Sequence, residues 1–367
     1  MGFRCGIVGL PNVGKSTIFN ALTNSAQAEA ANFPFCTIEP NTGIVEVPDH
    51  RLQDIAACIP PQKLVPTTMT FVDIAGLVAG ASRGEGLGNK FLAHIRETQA
   101  IAHVVRCFED TNVVHVDGSV DPVRDVDVIH TELLLCDLET VTKRHQNLQR
   151  KARGGDKETI KTVELLERIR PHIDDGTPVR AIEMSPEDRA RLSDLHLLTD
   201  KAVLYVANVS EDDIAAPEEC ALYQKLAEHS AAEGASIVAL CGKIESELAE
   251  LTGEERTEFL NDLGLAEPGL NRVIRAGYEL LNLQTYFTAG EKEVRAWTFP
   301  SGATAPQAAG VIHSDFERGF IKADVYHYDD LMKYRSEAAV KEAGKMRLEG
   351  KTYVVRDGDI MHFRFAV

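Results

Sequence analysis

Gly9-Leu10-Pro11-Asn12-Val13-Gly14-Lys15-Ser16-Thr17 is the stretch on which the reading of this chain turns. It has the glycine–lysine–hydroxyl spacing of a phosphate-binding loop, in which glycines permit a tight turn and a close backbone approach. The N–H groups of Asn12, Val13, Gly14, Lys15, Ser16 and Thr17 are expected to converge on phosphate oxygens, backed by the positive end of the following helix. Lys15 neutralises the β- and γ-phosphates, and the Ser16 hydroxyl is a ligand for Mg2+. The flanks agree with this. Phe3–Val8 reads as a strand, and Ser16–Thr23 as a helix with Phe19 and Leu22 on its inner face.

Outward from this loop, Gly43–Val47, Met69–Asp73, Ile101–Phe108, Ala202–Ala207 and Ser236–Leu240 read as further strands, several of them apolar enough for a buried parallel sheet. Strands alternating with helices predict a doubly wound α/β sheet with its ligand at the C-terminal strand ends. The 93 residues between Phe108 and Ala202 exceed what one crossover needs. Within them Leu134, Leu138, Val141, His145, Leu148 and Ala152 form a heptad seam, stopped by Gly154-Gly155. Ile160, Val163, Leu166 and Ile169 begin a second helix ended by Pro171, and Ser185-Pro186 caps a third. The expected organisation is a nucleotide domain over 1–125 and 201–281, an inserted helical coiled coil over 126–200, and a small C-terminal module over 282–367. That module should contain a strand at Val294–Phe299 with the only tryptophan, Trp297, and a hairpin over Tyr353–Phe365.

Three further segments carry chemistry. Asp73, at a strand end and followed by Ile74-Ala75-Gly76, can hold Mg2+ through water, with the Gly76 N–H meeting the γ-phosphate. The glycine-rich run after it, Leu77–Asn89, has the composition of a switch. Thr37 is a candidate for a second hydroxyl on Mg2+, with Thr42 as rival. The strand Ala202–Ala207 leads into Asn208-Val209-Ser210-Glu211, where guanine readers of this fold carry Asn-Lys-x-Asp. The lysine is missing and the acid is one carbon longer. Adenine lacks the N1–H and 2-amino protons that acid would accept, and an Asn amide can pair with adenine N6 and N7. The chemistry therefore leans toward ATP.

Composition narrows the class. The 367 residues carry a net charge of −17, which argues against a protein coated in nucleic-acid-binding charge. One segment departs from this: Lys143, Arg144, Arg150, Lys151, Arg153, Lys157 and Lys161 face only Asp156 and Glu158 across Lys143–Lys161. The double glycine puts this basic patch at the coiled-coil tip. No apolar run is long enough to span a bilayer, and the N-terminus does not read as a signal peptide. Seven scattered cysteines without a Cys-x-x-Cys pair suggest reduced thiols rather than zinc. A cytoplasmic monomer that binds neither DNA nor membrane is expected.

Together these residues resemble the Obg-like ATPase family, within the Obg branch of translation-factor P-loop proteins. The resemblance spans the chain. It rests on the phosphate loop, Asn32-Phe-Pro-Phe-Cys-Thr37, Asp73-Ile-Ala-Gly-Leu-Val78, Gly84-Glu-Gly-Leu-Gly-Asn89, Asn208-x-x-Glu211, and the segment from Leu283-Gln-Thr-Tyr-Phe-Thr288 to Phe365. That last segment looks like a TGS domain, a β-grasp module. The resemblance implies ATP hydrolysis and association with ribosomes, through the coiled-coil tip and the TGS domain. Ras-like enzymes often place a glutamine after the Asp-x-x-Gly glycine to orient water. Here Leu77 stands there, which predicts slow intrinsic turnover. His115, in the polar loop Glu109–Pro122, is a candidate catalytic group. Asn12 is a candidate ligand for K+, as in similar P-loops of monovalent-cation-dependent enzymes. A GTPase of the Obg type and a non-enzymatic, nucleotide-gated RNA or protein adaptor are the competing readings.

Overall fold

A computed structural model of the chain describes residues 3–29, 41–74, 87–116 and 118–366. Its strands are β1 (Arg4–Val8), β2 (Thr42–Glu46), β3 (Lys63–Val65), β4 (Thr68–Asp73), β5 (Ala100–Cys107), β6 (Ala202–Val209), β7 (Ser236–Leu240), β8 (Leu283–Ala289), β9 (Glu293–Pro300), β10 (Phe320–His327), β11 (Arg347–Glu349) and β12 (Asp359–Phe365). Contacts divide the chain into two compact units, one of 3–43 and 70–273, the other of 44–69 and 274–367.

In the first unit β4, β1, β5, β6 and β7 are successive strands of a sheet that ends in β2 beyond β4. The pairs β4/β1, β1/β5, β5/β6 and β6/β7 are all parallel. Every residue of β5 is buried, and β6 is buried beyond its first residue. Such strands are β-branched and apolar because helices cover both faces. Their shared direction brings the C-terminal ends of β1, β4, β5 and β6 to one edge, which is where the site lies.

The helical insert has a core of its own. Helix Pro122–Ala152 starts at Asp121, whose side chain accepts from Arg124 N, and runs for 31 residues. Helix Lys157–Asp174 returns from the Gly154-Gly155 turn. Leu134 and Val141 of the heptad seam pack against Leu165, Leu166, Ile169 and Ile173 of the returning helix, with Leu138 and Leu148 beside them. His145, at a seam position, meets Glu167 at 2.9 Å. Pro171 does not end the second helix as its sequence suggests. The helix runs on to Asp174, and Asp175 N bonds back to Pro171 O. One proline removes only its own donor, and the packed Ile169 and Ile173 hold the last turn in place. The third helix, Pro186–Leu192, is capped by the Ser185 side chain accepting from Asp188 N.

In the second unit the sheet order is β11-β10-β12-β8-β9-β3. Two expectations need correction here. The sequence reading puts residues 44–69 with the nucleotide domain, yet β3 pairs with β9 in the register Lys63↔Glu293, Leu64↔Val294, Val65↔Arg295. Leu52 and Ile55 of helix His50–Cys58 are buried with Phe287, Val294 and Tyr326. A three-residue strand has too little periodicity to reveal a partner so distant in sequence. The expected hairpin over Tyr353–Phe365 is also absent. β12 pairs antiparallel with β10 and parallel with β8, while Val354 makes only an isolated bridge to Thr304. The Asp357-Gly358 turn is real, but the Asp357 carboxylate accepts from Thr285 N and from Arg51, tying the turn to β8. Among the described residues no helix is long and apolar enough to cross a membrane.

Candidate functional site

β1 is central in its sheet, and its residues Cys5, Ile7 and Val8 are at most 1% exposed. The chain therefore leaves the sheet at Gly9 in a fixed direction. It turns through Asn12 and Gly14, whose φ angles are 63° and 91°. Gly14 is required twice over. Its φ lies in the left-handed region, and a Cβ there would stand 2.2 Å from the Asn208 amide nitrogen. A Cβ on Gly9 would meet Val104 O at 2.6 Å. Helix Lys15–Glu29 begins directly after the turn, with its first backbone bond from Ile18 N to Gly14 O at 3.0 Å. The first N–H groups of a helix have no partner within it, so they face whatever occupies the loop.

Side chains of two strands and of the helix itself converge on this turn. Lys15 is 7% exposed and its ammonium forms an ion pair with the Asp73 carboxylate at the end of β4, in register with Ile7. Ser16 and Thr17 are exposed on the first helical turn. On β6, Asn208 is 4% exposed. Its Nδ2 donates to Val13 O at 2.9 Å, and its Oδ1 accepts from Gly242 N at 2.9 Å. Both ends of the amide are thus spent on protein. This corrects the expectation that Asn208 pairs with adenine: it ties the phosphate loop to the segment after β7. Val209 is buried. Glu211 is exposed and accepts from Lys243 Nζ at 2.7 Å, an ion pair that raises the Lys243 pKa. Of the expected base-reading residues, Glu211 alone presents its side chain to solvent.

The loop after β5 also reaches the turn. Asn12 Nδ2 donates to Val114 O at 3.2 Å. The next residue, His115, is 7% exposed, and its Nε2 lies 2.8 Å from Asp125 Oδ2 in the first turn of helix Pro122–Ala152. His115, the candidate catalytic group, directly follows the residue that Asn12 contacts, and its ring is held by the buried Asp125 carboxylate. Thr37, Gly76 and Leu77 lie outside the described residues. Among the described residues no group of three or more His, Cys, Asp or Glu side chains is placed to hold a metal.

Comparison with known proteins settles the kinship. A Pasteurella multocida protein named ribosome-binding ATPase YchF is 58% identical over 367 residues, all of both chains. The chain belongs to the YchF family. A Bacillus subtilis YchF of the same name is 55% identical, again over the whole of both chains. The solved structure of the Schizosaccharomyces pombe YchF GTPase superposes with a TM-score of 0.89 at 39% identity and covers 99% of this chain and 98% of that one. A family model described as 50S ribosome-binding GTPase matches residues 4–144. Another, YchF-GTPase_C, described as a protein of unknown function, matches 283–366. The Obg-like resemblance is the coarser statement of this kinship.

In this YchF-family site the donor set is hard oxygen and nitrogen: one ammonium, two exposed hydroxyls, one carboxylate and a helix N-terminus. That set suits a polyphosphate with a small divalent cation and does not suit a soft metal. Two residues escaped the sequence reading. These are Asp125, an acid in the first turn of a long helix, and Arg106, whose one available signal is a charged side chain interrupting an apolar strand.

Proposed function

We propose that this chain is a slow P-loop ATPase, with ATP preferred over GTP, that acts as a nucleotide-controlled switch on the ribosome. The observation that carries the reading is the part-buried Lys15–Asp73 ion pair at the open N-terminus of helix Lys15–Glu29. It places a cation and a carboxylate where a phosphate and a metal-bound water each offer a replacement partner. Backbone N–H groups of Asn12–Thr17 and of Gly76 bind the phosphates, and Lys15 neutralises them. Mg2+ fits the oxygen donors of Ser16, Thr37 and, through water, Asp73; when bound it draws charge from the phosphate oxygens. The Asn12 side-chain oxygen is the group available to K+, since its nitrogen serves Val114. His115, which directly follows the Val114 that Asn12 contacts, carries the catalytic assignment. Leu77 cannot orient water, so turnover is slow without a partner.

The domains are a nucleotide domain, an inserted coiled coil and a TGS domain of the β-grasp kind. In support of the last, β12 runs parallel to β8, and Ala305, Ala308 and Ala309 of helix Ala305–Ile312 pack on Tyr286, Phe299 and Phe320. The coiled-coil tip and the TGS domain are the ribosomal RNA contacts. A ribosomal partner implies work in the cytoplasm; that the chain acts as a monomer and binds neither DNA nor membrane is part of the same proposal. GTP is the second reading, favoured by the S. pombe relative, which is called a GTPase. Affinities for ATP, GTP and their non-hydrolysable analogues decide between them, and tighter binding with faster hydrolysis of GTP overturns the adenine assignment. Lys15→Ala should abolish hydrolysis, and full activity in that variant would remove the site.

A further inference from the structure

β5 is buried along its whole length, yet it carries Arg106, which is 1% exposed. A buried guanidinium is costly unless its donors find acceptors. Here Nε donates to Phe108 O at 3.1 Å, one terminal nitrogen to Val113 O at 3.0 Å and the other to Asp110 O at 3.3 Å. The guanidinium carbon lies 4.5 Å from the centre of the Phe108 ring. All the acceptors belong to the chain immediately after β5. A planar fork with five donors holds three carbonyls in fixed directions, more rigidly than the compact ammonium of a lysine on its flexible stem.

The segment so gathered is the one that reaches the phosphate loop, because Val114 O accepts from Asn12 and His115 meets Asp125 directly afterwards. Arg106 also stands in register with Asn208 on the neighbouring strand β6. Two buried polar side chains at one level of adjacent strands therefore act on consecutive loop residues: Asn208 on Val13 directly, and Arg106 on Asn12 through Val114. We infer that Arg106 is a positioning residue of the nucleotide site, shaping residues 108–116 so that Val114 supports Asn12 and His115 meets Asp125. This rests on the nucleotide-hydrolase reading above.

The test uses the full chain, with Arg106→Met, which keeps a long side chain but no donors, and Arg106→Lys. Two readouts are taken: amide hydrogen exchange without nucleotide, and steady-state ATP hydrolysis. In Arg106→Met, amides of 108–116 and Asn12 should exchange at least about tenfold faster while those of 134–173 keep their wild-type rate. The kcat should fall about 10- to 100-fold through misplacement of the loop. KM for ATP should move less than about threefold, because Lys15 and the helix N-terminus still hold phosphate. Arg106→Lys should restore part of kcat. If Arg106→Met does not fold, Arg106→Lys is read by the same criteria against wild type. Unchanged exchange over 108–116 overturns the inference, as does faster exchange there with wild-type kcat. Equal loosening of 134–173 also overturns it, since that marks general destabilisation. A wild-type chain that hydrolyses no nucleotide refutes the hydrolase reading instead, and the exchange data still decide whether Arg106 holds the loop.

Discussion

Replacing Asn208 with alanine separates positioning from base reading. The wild-type amide makes two 2.9 Å hydrogen bonds in a site where the residue is 4% exposed. Each such bond contributes about 1 kcal/mol net, and each backbone partner left without one loses about as much again, so the local loss is roughly 2–4 kcal/mol. Val13 and Gly242 belong to the phosphate loop and to the segment after β7, and neither contacts a base through Asn208. The loss should therefore weaken phosphate binding without regard to the base. If about 2 kcal/mol appears in binding, Kd rises about 30-fold for ATP and for GTP alike, and their ratio stays fixed. Isothermal titration of wild type and Asn208→Ala with both nucleotides reads this directly. Asn208→Asp should be at least as damaging, because it sets a second oxygen against Val13 O in a buried place. A tenfold change in the ATP:GTP ratio, with the mean affinity unmoved, would refute the reasoning and return Asn208 to the base.

Two other perturbations have defined outcomes. His103 on β5 lies 5% exposed beside the Tyr205 ring, and burial, with His130, His229 and Arg180 nearby and Glu233 opposing them, lowers its pKa from 6.5 to about 3. Below pH 6.5 the unfolded chain takes up a proton that the folded chain refuses, so this stability is full above pH 6.5 and is lost as pH falls toward 3. The slope is about 1.4 kcal/mol per pH unit, or about 2 kcal/mol between pH 6.5 and 5. His103→Gln should flatten the acid limb of a stability–pH curve, and parallel limbs would contradict the assignment. At the coiled-coil tip, Arg150, Lys151, Arg153 and Lys157 are exposed, whereas Lys143, Arg144 and Lys161 are paired with Glu139, Asp194 and Glu158. Alanine at Arg150, Lys151 and Arg153 should weaken cosedimentation with ribosomes and lower the log–log salt slope by about 2, and unchanged sedimentation would exclude the tip.

Much of the architecture was legible because its causes are local. A glycine pair and a lysine between a buried strand and a helix specify a phosphate loop from the backbone they permit. The heptad from Leu134 to Ala152, the cap at Ser185 and the strand Ser236–Leu240 follow from periodicity and side-chain capping within a few residues. The same reasoning failed where the partner lay elsewhere in the chain. Nothing local tells Lys63–Val65 to seek Glu293–Arg295, or Asp359–Phe365 to pair with β10 and β8 instead of folding back on Tyr353.

The site divides along the same line. The sequence by itself determined the glycine–lysine turn at Gly9–Thr17 between a buried strand and a helix, the presence of Lys15 and Asp73 as candidate partners there, and that no glutamine follows Gly76. It left open what Asn208 and His115 do, because an amide or an imidazole can serve ligand or protein equally well. Only the tertiary structure decided that Asn208 spends both ends on Val13 and Gly242, that His115 meets Asp125, and that Arg106 gathers the loop between them. Residue type sets which bonds a side chain can make, and the crossing of strands from distant parts of the chain sets which of them it makes.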